Sequence, residues 1–107
     1  MTTSTTTLKN AAFAIEHDLF TDPDGCNFLV KDGAILRRWE PEHSSADSFE
    51  LMARLNLEVQ SLYGCECVRA DDYYGDHCSD VDWTGDIAQD YRSAILMTAA
   101  KIGESLQ

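Results

Sequence analysis

The residues best suited to chemistry crowd into one stretch, Asp71–Asp86, which reads "DDYYGDHCSDVDWTGD" and holds six aspartates and a His77-Cys78 pair. Cys65-x-Cys67 lies just upstream. Three thiols and an imidazole are zinc ligand types. Zinc modules usually separate paired cysteines by two to four residues. Here one residue separates Cys65 from Cys67, and none separates His77 from Cys78. The expectation is therefore small cysteines placed in a core, with no metal and no other cofactor. A metal-binding domain built on Cys65, Cys67, His77 and Cys78 is the alternative. From Asp80, "DVDWTGDI" begins like a calcium loop, but such a loop closes on a bidentate Glu at its twelfth position. Tyr91 stands there. Asp86 then reads as an N-cap after a turn.

Nucleophilic or acid–base catalysis needs side chains that face one another. His77 and Cys78 are adjacent, and on a strand they point to opposite sides. Asp71 and Asp72 fail in the same way if extended. His17 follows Glu16 on a predicted helix, and His43 sits in a predicted loop. No phosphate-cradling glycine loop, nucleophile elbow or P-loop lysine is present in the sequence. The expectation is a protein that is not an enzyme.

What remains is charge. From Glu66 to Asp90 there are eight acids and one base, Arg69, out of 19 acids and 8 bases in a chain of formal charge −11. Such a chain is repelled by nucleic acid and by anionic membranes, and is attracted to basic protein surfaces. Concentrating like charge costs tenths of a kcal/mol per exposed pair, so solubility alone would spread it. Aromatics anchor interfaces, and Tyr73, Tyr74 and Trp83 interleave with the acids. Asp71, Asp72, Tyr73, Tyr74, Asp76, Asp80, Asp82, Asp86 and Asp90 are the expected partner-binding residues. The competing expectation is a solvated loop of turn-forming aspartates with its aromatics tucked inward.

The elements that must position these residues follow from hydrophobic spacing. The 107 residues, 44% apolar and 25% charged, suit one small domain over 8–107, with residues 1–7 as a frayed lead. "MTTSTTTLKN" lacks the basic start and apolar run of a signal peptide, and no apolar stretch is long enough to span a bilayer. A cytoplasmic location with reduced thiols is expected. Leu8, Ala11, Ala12, Ile15 and Leu19 predict a helix over 8–20, capped by Thr7. Residues 27–39 predict a hairpin around Asp32-Gly33. Ser44 or Ser45 would cap a second helix over 46–62, with Asp47 in its first turn and Gly64 just past its end. The alternative breaks that helix near Asn56 and makes "LEVQSL" a strand.

Strands are expected over "CECVRA", with Cys65 and Cys67 facing inward, and near "HCSDVDW". The closing helix, capped by Asp86, carries a stripe of Ile87, Tyr91, Ala94, Ile95, Thr98 and Ile102, and its "AILMTAA" run predicts cover on two sides. No internal repeat is evident. The sum is an α+β fold: a single small domain with a three- or four-stranded, mainly antiparallel sheet packed by about three helices.

"RRWEPEHSSADSFELMARL", followed by "RSAILMTAAKIGES", resembles the phage ABA-sandwich domain through Trp39, Pro41 and Ala94-Ile95-Leu96, with "NAAFAIEHDLF" in the place of its opening helix. The resemblance covers about Leu8 to Gly103; the Asp-rich stretch departs from it. It implies a layered helix–sheet–helix fold and a phage or prophage origin, and no chemistry. With the acidity, it sets the functional expectation: a phage accessory protein that binds a host protein with a basic, nucleic-acid-binding surface, without touching nucleic acid or membrane itself. Inhibition of host defence, such as an anti-CRISPR acting as a nucleic-acid mimic, is one concrete version. A structural or assembly protein of the phage particle is a further alternative.

Overall fold

The computed structural model describes residues 4–73 and 75–107. Ser4, not Thr7, opens the first helix: its side chain accepts from the Thr7 backbone N–H at 3.2 Å, and α1 runs Thr5–Ala14. Residues 4–7, expected to fray, thus cap and begin a helix. The helix also stops earlier than Phe20. Glu16 takes φ 64, and Asp18–Thr21 becomes strand β1. Its apolar residues are claimed by the strand opposite: Leu19 pairs with Leu29 and Phe20 with Phe28. β2 (Asn27–Lys31) and β3 (Ala34–Arg38) form the expected hairpin. Asp32 and Gly33, at φ 53 and 80, supply the two positive-φ residues of its tight turn.

α2 spans Ser45–Arg54, capped by the Ser44 hydroxyl, with Asp47 in its first turn. It does not continue to Leu62. Asn56 turns the chain at φ 55, and Glu58–Leu62 is β4, so Gly64 lies far beyond the helix end. Asn tolerates the left-handed region better than most residues, and the alternation of Glu58 and Gln60 with Val59 and Ser61 suits a one-sided strand. β5 is Cys67–Asp71 and β6 is Cys78–Asp82. Cys65 falls outside the strand and is exposed, against the expected inward position. α3, Ile87–Ser105, is capped by Asp86 through the Gln89 N–H at 3.1 Å. Its start is more open than the stripe suggested, because Ile87 is exposed.

The fold is α+β, with three helices and two three-stranded antiparallel sheets, β1-β2-β3 and β4-β5-β6. The strands divide into two meanders instead of joining one sheet. The division reveals an internal repeat that the sequence reading did not see: helix, left-handed turn, three strands, then a tryptophan (Trp39 or Trp83) and a new helix cap. The details recur. His17 N–H donates to Ala12 O at 3.0 Å, and Leu57 N–H to Met52 O at 2.9 Å. Asp47 Oδ2 accepts from Glu40 N–H at 2.8 Å, and Asp90 Oδ2 from Thr84 N–H at 3.0 Å. Each carboxylate pins the residue that follows a tryptophan.

α3 holds the units together. Against α1 it presents small residues: Ala99 shares a core cluster with Ala11 and Ala12, and Gly103 lies against Asn10 and Ala14. A Cβ on Gly103 would lie 1.7 Å from the Asn10 carbonyl oxygen, so only glycine permits that approach. Its other side lies on β5 and β6, where the Thr98 hydroxyl donates to Ala70 O at 2.9 Å. Arg92 donates to Glu42 O at 3.1 Å and to the Ser45 hydroxyl at 3.0 Å, tying α3 to the start of α2. The main core joins Leu8, Ile15, Leu29, Trp39, Leu51 and Leu96; a smaller one joins Val68, Ala70 and Ala94, and Val59 touches both. Full burial of a Leu or Val side chain contributes roughly 1.5–3 kcal/mol, so these clusters dominate the stability. No described helix is long and apolar enough to cross a membrane.

Candidate protein-binding face

Strand alternation sorts the second sheet into two faces. Val59, Val68, Ala70 and Val81 face the helices. The outer face consists of three cross-strand rows fixed by the register: Glu58, Asp71, Cys78; Gln60, Arg69, Asp80; and Leu62, Cys67, Asp82. Four carboxylates and one guanidinium therefore share one face. Arg69 Nε and Nη2 reach Asp80 Oδ1 and Oδ2 at 2.7 and 3.2 Å, a two-pronged pair. The bond lowers the Asp80 pKa and raises that of Arg69. Asp71 stands directly opposite Glu58, and like charges so placed repel. Asp80 and Asp82, two residues apart on one strand, project from the same side about 7 Å apart at a rise of about 3.3 Å per residue.

The expected partner-binding residues do not all belong to this face. Asp71, Asp80 and Asp82 do. Asp76 and Tyr73 are exposed in the β5–β6 loop, Tyr73 at 74%. Tyr74 lies outside the described residues. Asp72 is turned to His77, whose Nδ1 lies 3.0 Å from its Oδ2. That bond closes the loop and holds the Asp72 carboxyl below its ordinary range. Asp86 is exposed and caps α3.

Asp90 is a correction. It is 1% exposed, with Oδ1 accepting from the Thr84 hydroxyl at 2.7 Å and Oδ2 from the Thr84 N–H. A carboxylate so used is closed to any partner. Trp83 is likewise drawn inward: it packs on the smaller core, and the Tyr63 ring meets it edge-on at 5.4 Å. Its indole N–H is buried with no hydrogen-bond partner among the described residues.

Sequence reasoning missed Glu58, because a helix was expected there. The signal was the Glu-Val-Gln-Ser alternation. The metal alternative gains no geometry, since no three His, Cys, Asp or Glu side chains converge among the described residues. All four cysteines are free thiols. Cys67 has its pKa raised, by desolvation first and then by Cys65 and Asp80, and a protonated thiol is a poor ligand and nucleophile. No family model, curated protein or solved structure matches the chain.

Proposed function

We propose that this is a non-enzymatic binding protein whose acidic sheet face docks on a basic, nucleic-acid-binding surface of another protein. The observation behind the reading is the outer face of the second sheet, where Glu58, Asp71, Asp80 and Asp82 stand in register against Arg69, with Lys101 near Asp80 as a second cation. A rigid sheet presents carboxylates at fixed intervals, so the ordering entropy of a flexible acidic tail is avoided. Charge of this kind steers encounter and sets specificity more than it adds raw affinity. The resemblance to the phage ABA-sandwich domain supports a phage accessory role, acting on a host protein in the host cytoplasm. Blocking a defence nuclease by imitating nucleic-acid charge is its concrete form.

The experiment is a pull-down from host lysate, repeated with Glu58→Gln, Asp71→Asn and Asp82→Asn together. Asp80 is left in place to keep its pair with Arg69. The expected outcome is loss of the captured protein. The affinity of the purified pair should also fall steeply between low and high salt. An affinity indifferent to salt would rule out charge mimicry.

A further inference from the structure

We propose that the outer face of the first sheet is a self-association surface on which two copies of this chain pack face to face about a two-fold axis. Register assigns that face two rows, Asp18–Val30–Ile35 and Phe20–Phe28–Arg38. The opposite side, with Leu19 and Leu29, covers the core. Four of the six outward residues are large and apolar, and Phe20 and Ile35 are 44% and 59% exposed. The Phe20 and Phe28 rings lie together at 6.2 Å. The register shift between Leu29 and Val30 skips Leu36, which is 53% exposed on the edge strand. These apolar side chains adjoin one another on an otherwise charged surface.

The two charged corners of the face, Asp18 and Arg38, fit a second copy as the occupant. Residues 45–86 carry ten carboxylates against two guanidinia, whereas residues 1–44 carry seven against four cations. Two such molecules repel over most of their surface. They meet with least repulsion on this face, which holds one acid and one base. Those two are self-complementary. Asp18 and Arg38 occupy opposite corners of the face. A two-fold axis along the other diagonal, from Phe20 to Ile35, sets each Asp18 over the Arg38 of the other copy. It also stacks Phe20 on Phe20 and Ile35 on Ile35. The strands then cross near a right angle, one of the two usual sheet-packing arrangements. Arg38 is available for this: its side chain is 65% exposed, and its contact with Glu40 is a long 3.6 Å.

Size sets the strength. Three strands about 4.8 Å apart and five residues at about 3.3 Å each make a face of roughly 240 Å², well under the roughly 800 Å² per partner of a stable interface. The dimer is therefore weak and concentration-dependent.

Sedimentation of the whole protein from about 1 µM to about 1 mM brackets contacts of this class. Wild type should pass from monomer to dimer. Ile35→Glu should stay monomeric throughout, with an unchanged circular dichroism melt because the side chain faces solvent. Asp18→Arg and Arg38→Asp should each weaken the dimer at least tenfold, and the double exchange should restore it. A wild type that stays monomeric at the highest concentration overturns the proposal. So does a dimer that survives Ile35→Glu, which would place the contact on the β3 edge instead. Failure of the double exchange to restore association overturns the two-fold arrangement.

Discussion

At the scale of single residues, similar aspartates do three different jobs. Asp86 caps a helix end at the surface, Asp90 is buried and pins the Trp83–Thr84 turn, and Asp72 is held by a histidine. The costs of removal should differ accordingly. Asp86→Ala should lower the unfolding free energy by about 1 kcal/mol, an ordinary N-cap loss. Asp90→Ala strips two bonds from Thr84 and should cost about 2–3 kcal/mol. Urea titrations of the two variants side by side check the order; equal losses would mean that the Thr84 bonds add nothing beyond capping. Asp72 predicts a pH effect. Its folded-state pKa lies below the ordinary 3.8 because His77 bonds the ionised form. Lowering a folded-state pKa stabilises the fold above the unfolded value and ceases to do so as pH falls through the folded one. The stability gap between wild type and Asp72→Asn should therefore be full at pH 5–6 and close as the solution is taken below about pH 3.8. Chemical denaturation at several pH values reads it directly, and a gap that widened toward acid would contradict the bond.

At the scale of elements, the tightest constraint is the crossing of α1 and α3. Gly103→Ala would set a methyl 1.7 Å from the Asn10 carbonyl oxygen. Backbone must move to accept it, a cost of about 2–3 kcal/mol by analogy with overpacked cores. The loss should appear as a lower urea midpoint and as faster amide exchange in α1; an unchanged midpoint would mean that the helices part easily. The glycine is visible in the sequence, but its partner is not, because the contact joins segments far apart in the chain. The same limit explains what could be read and what could not. Asp32-Gly33 announced its hairpin, since turn chemistry is local, and Ser44 and Asp86 announced two helix starts. Leu19-Phe20 and Leu57–Leu62 also fit helical spacing, and only pairing with Leu29-Phe28 and with residues 67–71 made them strands. The repeat left only a faint trace, Trp39 with Asp47 and Trp83 with Asp90, because its other shared features are backbone turns and caps, which Glu16 and Asn56, or Ser44 and Asp86, satisfy with different side chains. The acidity of the candidate site was legible from composition; its membership was not, since burial took Asp90 away and Glu58 came from the strand after Asn56 that the sequence offered only as the alternative to a longer helix.

At the scale of the whole molecule, charge is distributed against stability. The second unit holds ten of the 19 acids, and its open face sets Glu58 directly opposite Asp71. A like-charged pair in that position destabilises by about 0.2–1 kcal/mol, and the remaining carboxylates add a diffuse repulsion that salt screens over about 10 Å at 0.1 M. Nothing in the fold requires this arrangement: the inner face of the same sheet holds the core contacts, and neutral residues would serve equally on the outside. On the proposed reading, this surface repulsion is what selection for a basic partner would leave behind, whereas a merely solvated surface would drift toward mixed charge. The consequence is measurable without the partner. The melting temperature should rise by a few degrees between about 0.01 M and 0.15 M sodium chloride, where a ΔΔG of 1 kcal/mol shifts the midpoint of a domain this size by about 4–8 °C. Glu58→Gln with Asp71→Asn should raise the low-salt melting temperature and flatten its dependence on salt. Flattening identifies the face as the source of the repulsion, while a salt response identical to wild type would move that source to the loops and weaken the case that the sheet was built to meet positive charge.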